Sequence, residues 1–228
     1  MTELWQALLK AVQLITSLDP EVMEIAGRSL SLAAASCVIA ILLFIPLGSA
    51  IHFNRFPGKR FLVNIVQTLY SLPTVAVGLF VFVLISRAGP LGGLGLMFTP
   101  AAIILGQVVL VAPVVTGLTI SALSGIDKAV SETAVSLGAG RFQMTWLVLR
   151  EARFAILAVI IMAFGRTFSE LGISLMVGGN IRGFTRTITT AISLETSRGD
   201  LELSLALGMI LIFLGLAVNI LLNRLQQR

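Results

Sequence analysis

Charge is what this sequence has least of. Only 12% of its 228 residues are Asp, Glu, Lys or Arg, where soluble domains carry about a quarter. A solvated globular surface is therefore excluded as the chain's main environment. There is one cysteine, Cys37, so an intrachain disulfide and a thiolate metal cluster are both excluded. The one histidine, His52, stands at the end of an apolar run and marks its edge rather than a ligand set. No G-x-x-x-x-G-K-[ST] segment is present, which excludes a P-loop nucleotide site on this chain. Without a His or Cys constellation, neither a nucleophile–base pair nor a metal site can be assembled. No catalytic residue, metal or cofactor is assigned. The net charge is +5 and the pI about 10.3, yet the basic residues are scattered with no interleaved aromatics, so nucleic acid is not the partner. No internal repeat is evident, and the inverted-repeat signature of many secondary transporters is missing.

What the sequence has is long apolar runs. Residues 29–51, 61–86, 88–126 and 203–223 carry no charged side chain, and 154–177 is interrupted only by Arg166 and Glu170. About 20 apolar residues cross the roughly 30 Å of bilayer hydrocarbon. The 88–126 run is too long for one span and opens on a turn-like A-G-P-L-G-G-L-G, which places its helix at 99–123. The fold class that follows is all-α, a polytopic membrane protein with five core spans at about 29–51, 61–86, 99–123, 154–177 and 203–223. Leu4, Trp5, Leu8, Leu9, Val12 and Ile15 recur at helical spacing, so residues 1–25 form an N-terminal segment, either amphipathic on the membrane face or a short sixth span. It does not read as a signal peptide, because its start is not basic and no cleavage site follows. Residues 26–228 form the transmembrane domain.

Lys and Arg collect on cytoplasmic loops. Arg55, Lys59 and Arg60 follow the first span. Lys128, Arg141, Arg150 and Arg153 lie in 125–153, and Arg224 and Arg228 end the chain. These segments share one side, which is expected to be the cytoplasm, with the N-terminus outside and the C-terminus inside. The connection 178–200, with Arg182, Arg186 and Arg198, runs against that trend.

Within the spans, Pro46, Pro73 and Pro113 each remove a backbone donor and tend to kink a helix. Pro73, in Y-S-L-P-T, is the best placed of them to shape a path. Arg166 and Glu170 each cost about 2.5–3.5 kcal/mol near a helix centre, so neither faces lipid. Their i,i+4 spacing puts them one turn apart, where they either line a translocation path or form a structural ion pair. Segment 125–153 is no ordinary connector. Ile126, Val130, Ala134 and Leu137 recur at helical spacing, Asp127 suits the helix start and Gly138 its stop. A second run, 141–149, leads back with Trp146 at interface depth. Together they predict a protrusion suited to a groove on a partner.

E-T-A-V-S-L-G at 132–138, followed by nine residues and Val148, resembles the E-A-A-x3-G-x9-I-x-L-P loop of ABC importer permeases. Thr133 replaces an alanine, and Arg150 and Glu151 stand where the pattern has Leu-Pro. Residues 67–79, 164–172 and 177–200 are similar to the molybdate/tungstate branch, the last stretch most to tungstate permeases. The resemblance implies a type I ABC importer permease fold and import of an oxyanion, with molybdate the near alternative to tungstate. An ATP-independent secondary transporter is the alternative from another class. It further implies a homodimer of permeases in the inner membrane, cytoplasmic ATP-binding subunits and an extracytoplasmic oxyanion-binding protein. On that resemblance Asp127, Val130, Glu132, Ala134, Leu137 and Gly138 form the helix that couples to the ATPase. Arg166, Glu170 and Pro73 belong to the path or its scaffold. Arg182 and Arg186 attract anions, contact the binding protein or sit in a solvated loop.

Overall fold

The structure, a computed structural model, describes residues 2–226; Arg228 lies outside the described residues. Eleven α-helices and two short 3-10 turns account for its regular structure, with no strand among the described residues. Helix α1 (Thr2–Thr16) packs along the last helix. At 15 residues it spans about 22 Å, short of a bilayer crossing. Helix α2 (Pro20–Phe53) starts where Asp19 accepts the backbone N–H groups of Glu21 and Val22, with proline at its first position, and continues through Pro46 for 34 residues.

The next apolar run departs from expectation. It was expected to cross as one helix over 61–86, but α3 (Lys59–Thr68) ends in a 3-10 turn at Leu69–Ser71, and α4 (Thr74–Ile85) leaves it at 103°. Pro73 has no N–H to continue the ladder, and it pushes Leu72 to an extended ψ of 130°. Helix α5 (Pro100–Ser124) is continuous, its N-terminus capped by Thr99 and its interior carrying Pro113. Two short helices follow, α6 (Lys128–Ser136) and α7 (Arg141–Glu151). The run expected as a single span at 154–177 is also broken, into α8 (Arg153–Phe168) and α9 (Gly172–Gly178), bent by 53°. The connection 178–200 contains α10 (Ile188–Arg198), and α11 (Leu201–Gln226) closes the described chain.

Three single helices are long and apolar enough to cross a membrane, α2, α5 and the Leu201–Leu221 part of α11, and the count reaches five if each bent pair is one span. The centre is α2 against α5. Small residues let the two approach closely: a Cβ on Gly48 would lie 2.7 Å from the carbonyl oxygen of Thr116. Close backbone approach of this kind is how helices associate where lipid removes the hydrophobic drive. Around that pair, Val77, Val81 and Ile85 of α4 pack on Ile103 of α5 and Ile173 of α9, while Val159 and Ala163 of α8 pack on Cys37 and Val111.

Candidate functional site

The two helix breaks lie close to each other. A Cβ placed on Gly172, the first residue of α9, would lie 3.1 Å from Thr74 Oγ1 and 3.4 Å from Glu170 Oε1. Thr74, which follows Pro73, therefore shares one small space with Glu170. Irregular backbone at membrane depth survives only when protein groups or a water-filled cavity satisfy it, and here side chains do so. Glu170, 5% exposed, accepts the N–H of Ile173 at 3.0 Å and caps α9. Its own carbonyl accepts the Thr189 hydroxyl at 2.9 Å. On the other side of the break, the carbonyl of Thr167 accepts Gln107 Nε2 at 3.2 Å, and Gln107 Oε1 accepts the Ser36 hydroxyl at 2.8 Å.

Arg166 and Glu170 do not form the ion pair that i,i+4 spacing allows. That geometry needs an unbroken helix, and α8 ends at Phe168, so Glu170 lies beyond the break with its carboxylate committed to α9. Arg166 is half-buried, and its Nε is buried with no partner. The structure thus brings Pro73 and Glu170 together through Thr74 and leaves Arg166 in the turn before them.

At the basic end of the bundle, the segment after α5 folds back on itself. Asp127 Oδ1 accepts the N–H of Ala129 at 2.9 Å and starts α6. Gly138 ends it with φ +81°, and a Cβ there would touch nothing within 4 Å. Its glycine thus answers to backbone conformation alone. Val130 packs toward Leu123, Val148 and Ala152, and Ala134 is buried, so these two of the six predicted coupling residues hold the protrusion on the bundle. Glu132 and Leu137 face outward, Leu137 83% exposed. A groove of about 600 Å³ lies between α6 and α7, lined by Leu137, Phe142, Trp146 and Arg150 among others. Leu137, Phe142 and Trp146 are apolar and exposed at the polar end of the molecule, which is the composition of a docking surface.

At the opposite end, the middle of 178–200 is not solvated: Thr185 through Ala191 are buried. Arg186, 8% exposed, lies 3.7 Å from Glu21 and 3.7 Å from Glu195. Arg28 donates to its carbonyl at 3.2 Å. Arg182 is exposed and pairs with Glu21. Of the two arginines expected at a partner contact, only Arg182 is at the surface, because Arg186 is drawn inward by two carboxylates. Among the described residues no three His, Cys, Asp or Glu side chains come together as metal ligands would.

Sequence reasoning missed Gln107, Ser36, Thr167, Thr189 and Glu195. One signal was available: Gln107 is the single amide side chain in 99–123, and an amide at membrane depth must bond within the bundle.

Apolar spans, two of them broken at a shared polar point, and an apolar-tipped protrusion at one end define a polytopic membrane permease. Residues 43–228 match the family described as binding-protein-dependent transport system inner membrane component, and the chain belongs to that family. It is thereby a multi-pass inner-membrane transport subunit. Among curated relatives, it is 37% identical to a tungstate uptake system permease protein of Peptoclostridium acidaminophilum, over 95% of each chain. It is 38% identical to the protein of the same name in Campylobacter jejuni, over 96% of this chain and 91% of the other. A molybdenum transport system permease protein of Escherichia coli K12 is 29% identical over 84% of this chain and 90% of its own. Among solved structures, the fold is that of a chain in the MetNI methionine ABC transporter, at TM-score 0.74 and 17% identity, covering 92% of this chain and 97% of that one. A bacterial transporter that imports alginate gives TM-score 0.75 at 19% identity, over 94% and 82%.

Proposed function

We propose that this chain is the permease subunit of a binding-protein-dependent ABC importer that moves tungstate into the cytoplasm. The observation that carries the substrate is the 37–38% identity with two tungstate uptake permeases along nine-tenths or more of each chain. The 29% identity to a molybdenum permease, over 84% of this chain, supports molybdate as the near alternative. Physics alone does not separate the two oxyanions, which are alike in charge and nearly so in size.

ATP chemistry belongs to a separate chain, consistent with the missing P-loop motif. Two copies of the permease work with two cytoplasmic ATP-binding subunits and an extracytoplasmic oxyanion-binding protein. The N-terminus lies outside and the C-terminus inside, the arrangement that puts Arg55, Lys59, Arg60 and the 125–153 segment in the cytoplasm. The exposed tip of α6, from Glu132 to Leu137, enters the ATPase, while Asp127, Val130, Ala134 and Gly138 hold its shape. When the ATPase subunits close, α6 moves, and α5 and α7 carry the motion to the bent spans. Those spans tilt between two states, exposing the path on alternate sides. Arg166 serves the passing dianion without trapping it, since one cation gives weak, escapable attraction. Arg182 meets the binding protein, and Arg186 holds the loop that presents it.

The test is reconstitution with the ATPase and binding protein of a tungstate uptake system, measuring ATP hydrolysis and uptake with tungstate, molybdate and sulfate in turn. Stimulation at the lowest concentration by tungstate-loaded binding protein is expected. Stimulation by molybdate at equal or lower concentration reassigns the ion. Uptake that proceeds without any ATPase subunit overturns the importer reading in favour of a secondary transporter.

A further inference from the structure

A second groove at the basic end shares only Phe142 with the groove between α6 and α7. It encloses about 790 Å³ between the C-terminal part of α2 and α7. None of its lining residues comes from α3, α4, α8 or α9, so it lies off the broken spans. Its composition is graded along both walls. On α2 and the turn after it, the lining runs from Ile45 and Pro46 through Phe53 to Arg55; on α7 it runs from Leu149 back to Arg141. Ile45 and Phe53 are separated by roughly 12 Å along the helix. Each wall is apolar toward the span and ends in an arginine.

Both arginines are exposed, and among the described residues neither has a hydrogen-bond or ion-pair partner. Lys59, by contrast, is already bonded to the carbonyls of His52 and Asn54. No acidic side chain lines the groove, while Ser49, Asn54 and Thr145 add uncharged polar groups. Two unpaired guanidinium groups over an apolar trough match one ligand chemistry, an anion joined to a hydrocarbon chain. We propose that this groove is a binding site for an anionic phospholipid. The headgroup phosphate lies between Arg55 and Arg141, and an acyl chain runs along Phe53, Pro46 and Ile45. Basic pockets beside spans on the cytoplasmic side recruit such headgroups, and planar guanidinium suits phosphate oxygens. The proposal depends neither on the substrate nor on the partner of α6.

The test uses the assembled transporter, permease with its ATPase, in nanodiscs of phosphatidylglycerol or of phosphatidylcholine. Lipid kept through stepwise detergent delipidation is read by native mass spectrometry. Wild type should retain phosphatidylglycerol, and R55Q/R141Q should lower its apparent affinity roughly 25-fold, from about fivefold per arginine. R55K/R141K, which keeps the charge, should retain most of it and so separates lost charge from misfolding. Equal retention by wild type and R55Q/R141Q overturns the site, as does equal retention of the zwitterionic lipid. If millimolar inorganic phosphate displaces the lipid and binds wild type in pure phosphatidylcholine, the groove takes a free anion and the lipid assignment falls. If the permease alone retains the lipid and the assembled transporter does not, the groove is a protein interface instead.

Discussion

Pro46 and Pro113 lie within continuous helices, whereas the chain turns by 103° beside Pro73 and by 53° near Glu170, where there is no proline. Proline alone therefore does not decide where a span breaks in this bundle. Helices α2 and α5 are held against each other by close backbone contact, so a proline's missing bond is absorbed without ending the helix. The bend at 169–171 needs no proline because side chains from elsewhere take the backbone groups that a straight helix would pair internally. Gln107 of α5 holds the Thr167 carbonyl, Thr189 in α10 holds the Glu170 carbonyl, and the Glu170 carboxylate holds the Ile173 N–H. A break in lipid is stable where the protein supplies substitute bonds.

The sharpest way to break this comparison is to remove the substitute bonds at the proline-free bend. Glu170→Leu leaves the buried Ile173 N–H without an acceptor, a cost of about 1–3 kcal/mol. Uptake should fall at least tenfold, a fall that corresponds to about 1.4 kcal/mol at the bend. Glu170→Gln retains an acceptor oxygen and should recover a measurable part of it, with membrane levels followed by immunoblot. Full activity in Glu170→Leu would mean that the bend does not depend on its cap.

Gln107→Leu should be next in size. It removes one bond to Ser36 and one to Thr167, and interhelical bonds in membranes average about 0.6 kcal/mol each. The expected result is a melting midpoint lower than wild type and uptake reduced several-fold. Gln107→Glu, which can still accept from Ser36 but loses the amide donor to Thr167, should fall between. If Gln107→Leu melts as wild type does, α5 does not hold the bend.

The prolines themselves give a smaller effect. Pro73→Ala restores an N–H and lets α3 and α4 approach a straight helix, so uptake should drop two- to threefold, the equivalent of about 0.4–0.7 kcal/mol, while membrane levels hold. Pro46→Ala and Pro113→Ala, inside helices that are already continuous, should change uptake by less than that. Equal effects at all three positions would erase the distinction between held and released prolines.

How much of this was legible beforehand follows the range of the forces involved. Apolar runs and the α6 start and stop depend on neighbours in sequence, and 3.6-residue spacing with Asp127 and Gly138 was enough to place them. The bend at 169–171 depends on Gln107, 60 residues earlier, and on Thr189, 19 residues later, and no local signal announces it. Arg186 misled for the same reason. An arginine in a connection reads as solvated until Glu21 and Glu195 are seen on either side of it. Charge alone marks a side of the membrane, but burial is decided by partners that only the fold assembles.

The smallest expected effect tests the ion pair that i,i+4 spacing allows and the fold does not form. If Arg166 and Glu170 were a structural pair, Arg166→Ala and Glu170→Ala would each be harmful, and the double variant would recover. With α8 ending before Glu170 and the carboxylate bonded to Ile173, the two losses should instead add. The coupling from a double-mutant cycle on the melting midpoint should stay within about 0.5 kcal/mol, the range found for residues without a shared partner. Arg166→Ala should lower uptake more than it lowers stability, because its Nε has no partner to lose. A coupling of more than about 1 kcal/mol would show the pair forming in another state of the transport cycle, where the bend at 169–171 straightens into one helix.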